Sequence, residues 1–151
     1  MNMQKMPTRG ERNNNPTNIK RSVVKWLGEE QNETDPVFCQ FVSSVYGIRA
    51  AFVNLKTHIK RLGKRATVRN LIYIWAPPNE NDSAAYLKNV TIAAVINSDY
   101  VMTFSDQKIL DLVRAIIIAE NGRCIYSEDI IAHAWQCAAN QAAPTPDNAL
   151  L

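Results

Sequence analysis

A mainly α fold is what this sequence predicts, and three observations predict it. From position 44 onward, apolar residues recur every three or four positions in successive stretches, the spacing that lines one face of a helix. Most of these stretches open on Ser, Thr or Asp and close on Gly or Pro, the residues that cap and stop helices. Finally, 151 residues at 46% hydrophobic and 21% charged suit one globular domain with a single core, and are too few for two. About five helices are expected, preceded by an irregular polar lobe.

Residues 1–8 read as a disordered lead and residues 9–140 as the domain. The stretch Arg9 to Asn18 is dense in Asn and contains Gly10 and Pro16, so it reads as turn or loop rather than helix. Between Ile19 and Phe41, short apolar pieces are broken by Gly28 and by Asp35-Pro36. That pattern leaves room for at most a small hairpin or irregular strands. Ser44 is the expected cap of the first helix and Gly63 its stop, with Val45, Ile48, Phe52, Leu55, Ile59 and Leu62 on one face. Thr67 caps a second helix, which Pro77-Pro78 ends. A third starts near Asp82 or Ser83 and runs through Tyr86, Leu87, Val90 and Ala94. Residues 97–104 read as a loop. Ser105 is expected to open a fourth helix, with Ile109, Leu112, Val113, Ile116 and Ile117 inward and Asn121-Gly122 as its stop. Ser127, followed by Glu128 and Asp129 in a favourable first turn, starts a fifth through Ile130, Ile131, Ala134 and Trp135. Residues 141–151, with Pro144 and Pro146, read as a loose tail.

Several function classes are excluded early. Unbroken apolar stretches such as Ala115 to Ala119 fall far short of the roughly 18 residues of a membrane span, so no membrane insertion is expected. The first ten residues lack the apolar core of a secretory signal, so the chain is expected to stay in the cytoplasm of the cell that makes it. Cys39, Cys124 and Cys137 are odd in number and widely spaced, so free thiols are expected. His58 and His133 stand far apart, and neither a Cys-x-x-Cys nor a His-x-x-x-His pair exists. No metal site and no cofactor is expected. The net charge of +3 hides an asymmetry: residues 49–69 hold seven bases and no acid. Such a field favours a polyanionic partner, bacterial envelope or nucleic acid, against the plain alternative of a solvated helix face. No aromatic residue interleaves with Lys56 to Arg69, so a base-stacking surface is not indicated.

No nucleophile elbow, P-loop or dinucleotide fingerprint is present. Cys39 lies in the apolar string Val37-Phe38-Cys39-Gln40-Phe41 and reads as a small buried hydrophobe rather than a nucleophile. Two polar segments are more telling. The amides of Asn13, Asn14, Asn15 and Asn18 offer donors and acceptors that suit the hydroxyl and acetamido groups of a sugar. Asn79-Glu80-Asn81-Asp82 places two carboxylates at a helix entry directly after a rigid double proline. Glycan cleavage needs a proton donor with a raised pKa, and often a second carboxylate or an activated water. The candidates are Glu80, Asp82 and Glu11. Each has a plainer role beside it: a loop anchor for Glu80, a helix cap for Asp82, pairing with Arg9 or Arg12 for Glu11. Asn79, Asn81, Trp75 and Tyr86 complete the candidate substrate-binding set, although Trp75 and Tyr86 at helical spacing equally suit the core. Glu29, Glu30 and Glu33 read as a solvated loop, and Arg49 as a buried anchor for a carboxylate of the 79–82 turn.

The ordered blocks RG-x-RNNNP-x-NI, Trp26-Leu27-Gly28, Phe38-x-x-Phe41, Tyr46-Gly47-Ile48-Arg49-Ala50 and WAPPNEND followed by Tyr86 resemble a family of small bacteriophage virion-associated or structural proteins. The blocks cover about residues 9–90, and Glu120-Asn121-Gly122 at a helix end fits as well. More distantly, the layout is similar to that of lysozyme-like peptidoglycan glucosaminidases. That likeness implies a lysozyme-like helical domain acting on peptidoglycan as a glycan hydrolase or lytic transglycosylase, with its catalytic Glu upstream of the Asn loop, where Glu11 is the acid present. Thr17 departs from the family pattern, which usually has Gly there. Three functions compete: a virion-associated protein that binds and cleaves peptidoglycan, a non-enzymatic virion structural or assembly protein that meets other virion proteins, and a small basic nucleic-acid-binding protein.

Overall fold

The computed structural model describes residues 5–144. Its first element shows how a polar stretch can still close a helical turn. Thr8 accepts a hydrogen bond from the Glu11 amide, and the Glu11 carboxylate accepts one from the Thr8 amide. This reciprocal capping box satisfies two amides that a helix start leaves bare, and it holds the four-residue helix α1 (Arg9–Arg12). The sequence had suggested loop there; the box forms because Thr8 and Glu11 stand three apart.

Five longer helices follow among the described residues: α2 (Ser44–Leu62), α3 (Val68–Trp75), α4 (Ser83–Ala94), α5 (Lys108–Asn121) and α6 (Glu128–Asn140), with a 3-10 turn at Gly63–Arg65. The mainly α expectation holds. Thr67, Asp82 and Ser127 cap α3, α4 and α6 through their side chains, and Gly122 ends α5 in the left-handed region at φ 75°. Two starts differ from expectation. Ser43, not Ser44, is the N-cap of α2. Helix α5 begins at Lys108 rather than at Ser105, because Asp106 turns the chain first: its carboxylate accepts from the Lys108 amide and the Tyr100 hydroxyl.

Helix α2 packs against α6, and α4 against α5. Their apolar faces meet in one core that includes Phe52, Leu55, Leu71, Ile72, Leu112 and Ile116, all nearly inaccessible to water. The loop before α5 joins this body through an antiparallel bridge between Thr67 and Val101. Lys56 is not part of a free basic face: its ammonium reaches the Ala138 and Ala139 carbonyls and lies over the Phe104 ring. Arg49 serves the segment after α6 rather than the 79–82 turn, donating from Nε to the Ala142 carbonyl at 3.1 Å. No helix among the described residues is long and apolar enough to cross a membrane.

Residues 13–43 wrap the N-terminal half of α2 without a helix or a regular strand. Two isolated antiparallel bridges, Lys20 with Phe38 and Glu29 with Phe41, stand where a hairpin was allowed for. Their small apolar cluster is Ile19, Cys39 and Phe41 against Ala50 and Ala51 of α2, with Trp26, Tyr46 and Trp75 packed on it. Polar side chains do the rest. Asp35 is buried; it accepts two hydrogen bonds from the Arg9 guanidinium at 2.7 Å, one from Asn13, and one each from the Val37 and Phe38 amides. These charge-assisted bonds hold its carboxyl well below the usual carboxylate range. Asn15 is fully buried and ties Ile19 to Cys39 through both backbone directions. Asn14, at φ 52°, donates to the Phe41 carbonyl. Gly47 lets this loop sit on α2, since a Cβ there would lie 1.8 Å from the Asn14 carbonyl oxygen.

Glu29 and Glu33 are not solvated as the sequence suggested: their side chains are 1% exposed. Cys39, Cys124 and Cys137 are free, as expected. Of the expected disordered lead, residues 1–4 lie outside the described residues, as do residues 145–151 of the expected tail.

Candidate functional site: a cleft between the lobe and the helices

Helix α5 carries a stripe of inward residues at 109, 112, 113, 116 and 117, and the same register reaches position 120. A carboxylate therefore arrives where an apolar side chain would be expected. Glu120 sits in the last turn of α5 and lines a cleft of about 210 Å³ together with Thr17, Asn18, Lys20, Phe38, Trp75, Ala76, Glu80, Asn81 and Tyr86. Its Oε1 accepts from the Asn18 amide and its Oε2 from the Tyr86 hydroxyl, both at 3.3 Å. Burial raises the pKa of Glu120, more than these two donors lower it. Burial and the Glu120 charge push the Tyr86 phenol well above its ordinary value, so Tyr86 stands as a neutral donor.

The cleft wall also holds polar atoms with nothing to bond. Thr17 Oγ1 and Asn18 Oδ1 are buried and have no hydrogen-bond partner. Buried polar atoms are normally satisfied, and an orphan calls for a water or a ligand group. Asn18 is held at φ 54°, a left-handed conformation that Asn tolerates better than most residues, and it aims its amide across the cleft at α5. At the opposite lip, Lys20 and Glu80 form an exposed ion pair at 2.7 Å that joins the lobe to the turn before α4. A second depression of about 370 Å³ shares Thr17, Asn18, Lys20, Trp75 and Glu80, and continues past Trp26, Asn54 and His58.

Of the residues singled out from sequence, the structure gathers Glu80, Asn81, Trp75, Tyr86 and Asn18 around this cleft. Asn13, Asn14 and Asn15 are turned into the lobe, bonded to Asp35, Phe41, Ile19 and Cys39. Asn79 is exposed on the turn. Asp82 accepts from the Ala85 amide as the cap of α4. Glu11 is held away from the cleft by a two-pronged contact with Arg123 at 2.7 and 3.0 Å, which lowers its pKa. The pairing with Arg9 or Arg12 considered from sequence does not form, because Arg9 is taken by Asp35 and Arg12 by the Pro7 carbonyl. Glu120, Thr17 and Lys20 were not among the sequence candidates. For Glu120 the signal was available: an acid in register with the apolar stripe of α5.

No protein-family model matches the chain. It is, however, 34% identical over 131 residues to protein P5 of Pseudoalteromonas phage PM2, an alignment that spans 85% of this chain and 80% of that protein. The chain belongs to this P5 family of phage proteins. The match covers enough of both chains that the helical body and the lobe of this P5-family protein lie largely within it.

Proposed function

We propose that this P5-family protein is a virion-associated phage protein that binds peptidoglycan glycan strands along the cleft and cuts them, with Glu120 as the proton donor. One observation carries the reading. Two carboxylates share a cleft in contrasting environments: Glu120 is half-buried, bonded to neutral donors and raised in pKa, while Glu80 is exposed and paired with a lysine. Environments that separate two carboxylates in this way divide the labour of general acid and of charge stabiliser or base. Asn18 and Tyr86 orient the Glu120 carboxyl, and Trp75 offers an aromatic wall for a sugar ring.

The test is digestion of purified peptidoglycan followed by mass spectrometry of the products. Glu120→Gln keeps the shape and removes the transferable proton, so cleavage falls roughly 100-fold or more. Asp82→Ala costs about 1 kcal/mol of stability through the lost cap and leaves cleavage in place. A wild-type protein that releases no product overturns the enzymatic reading. The second reading is then a virion structural protein on the same fold. The Lys20–Glu80 bridge across the lip favours it, as does a cleft below the roughly 300–1,000 Å³ of ordinary ligand pockets.

A further inference from the structure

The lobe contains a second group of chemistry-bearing side chains, distinct from the cleft residues. Glu29, Glu33 and Cys39 point at one another, with one ligand atom from each within 4.8 Å of the other two. All three are withdrawn from water: the glutamate side chains are 1% exposed and Cys39 is fully buried. Glu29 Oε1 is buried with no hydrogen-bond partner, and the Glu29 carboxylate stands against the Cys39 thiol.

We propose that Glu29, Glu33 and Cys39 bind a single divalent cation of zinc type, which staples the irregular lobe. The donor set selects the metal. A thiolate excludes magnesium and calcium, which take oxygen ligands, and two carboxylates beside a thiolate suit the borderline zinc ion. Zinc bonds of about 2.0–2.3 Å place tetrahedral ligands about 3.5 Å apart. Rotation of the two glutamate side chains supplies the closure, and water takes the fourth position.

A cation already occupies the neighbourhood. The Lys25 ammonium lies 2.5 Å from Glu33 Oε1 and 3.6 Å from Glu29 Oε2, and Arg21 Nε is 3.5 Å from Glu33 Oε1. Both bases are at least 40% exposed at the side chain, so Lys25 can swing into water as the metal enters. One ammonium leaves Glu29 Oε1 unmet, whereas a divalent ion engages both carboxylates and the sulfur. The Cys39 proton, which now has the Lys20 carbonyl 3.5 Å away, leaves to solvent on binding. The need for a staple is visible in the fold. Residues 13–43 contain no regular strand and only a small apolar cluster, and metal binding adds its free energy to that of folding.

The experiment uses the full chain, stripped of metal with a chelator and titrated with Co²⁺ as a spectroscopic probe. The expected result is one Co²⁺ per chain with a thiolate-to-cobalt charge-transfer band, displacement by Zn²⁺, and a higher Tm with Zn²⁺ than without. Glu29→Gln weakens binding roughly tenfold or more. Cys39→Ser abolishes the band, while Cys137→Ser leaves it, which separates this site from the Cys137–His133 contact at 3.6 Å. Should Cys39→Ser fail to fold, the wild type still decides. In mild denaturant, where the metal-free lobe opens and exposes Cys39, Zn²⁺ then protects Cys39 from a thiol reagent, read by peptide mapping, and leaves Cys124 reactive. No stoichiometric band, a band that survives in folded Cys39→Ser, or Cys39 labelling unchanged by Zn²⁺ each overturns the proposal.

Discussion

The helical body and the N-terminal lobe of this protein are stabilised by different physics. In residues 44–140, side chains such as Phe52, Leu71 and Ile116 are removed from water, and the gain is spread over many apolar contacts. In residues 9–43, burial falls on Glu11, Asn13, Asn15, Thr17 and Asp35 beside a small cluster of Ile19, Cys39 and Phe41, and much of the order comes from side chains that bond specific backbone groups. An apolar core degrades gradually when one member is trimmed. A polar lattice does not, because each lost partner leaves a buried donor or acceptor uncompensated. The lobe is therefore the region where a small substitution has a large consequence.

The sharpest way to break that contrast is at the seam. Gly47→Ala places a Cβ 1.8 Å from the Asn14 carbonyl oxygen, so α2 and the Asn loop cannot keep their contact. The expected cost exceeds roughly 4 kcal/mol, seen as loss of the cooperative melt or as rapid proteolysis within residues 9–43. Gly63→Ala in the helical body is the control. Its Cβ meets nothing within 4 Å, and only its backbone at φ 56°, ψ −119° resists, for about 1–3 kcal/mol. Equal effects of the two would erase the distinction.

Asp35→Asn comes next. It keeps the shape but weakens the two-pronged Arg9 contact, and Tm should fall by roughly 10 °C at neutral pH. The sign of the pH dependence follows from the lowered pKa. The unfolded chain binds the Asp35 proton near pH 4, where the folded one does not. The stability Asp35 contributes is full above that pH and is lost as pH falls further, so wild type and variant should converge in acid. Denaturant melts at several pH values check this, and a gap that widens in acid would contradict it.

The smallest effect is expected at Glu120, with the opposite sign. Its raised pKa means that the folded state binds the proton more tightly than the unfolded state. Stability is therefore lost as pH rises from the ordinary carboxylate value through the raised one. Glu120→Gln should be a few degrees more stable than wild type above that window and equal to it below. A variant destabilised at every pH would show that the Asn18 and Tyr86 bonds to the ionised carboxylate outweigh its burial.

The helices and the lobe also differ in how legible they were. The capping residues Thr67, Asp82 and Ser127 and the stop at Gly122 act locally, within four residues of what they satisfy, so helix starts and ends could be read in order. The N-cap of the first long helix falls one residue before Ser44, at Ser43, with no side-chain capping bond to fix it, and Ser105 is displaced as a start because the Asp106 carboxylate holds the adjacent backbone. The Asn-rich stretch stands out in the sequence, but the amides of Asn13, Asn14 and Asn15 serve the lobe. Which way an amide turns depends on Phe41, Cys39 and Asp35, more than twenty residues away.

By itself, the sequence determined the mainly α class, the order of the long helices, the free cysteines and the place of the turn between Pro77-Pro78 and the next helix. Periodicity and capping are short-range, and they act before the chain is folded. Only the tertiary structure decided which acid joins Glu80 in the cleft. Glu120 gained its burial, its Asn18 and Tyr86 partners and its raised pKa from segments 102 and 34 positions away. Glu11, three residues from its capping partner Thr8, was claimed by Arg123 across a separation of 112. Charge environment is a property of the whole packed molecule, because dielectric screening and partner geometry exist only once water has been excluded.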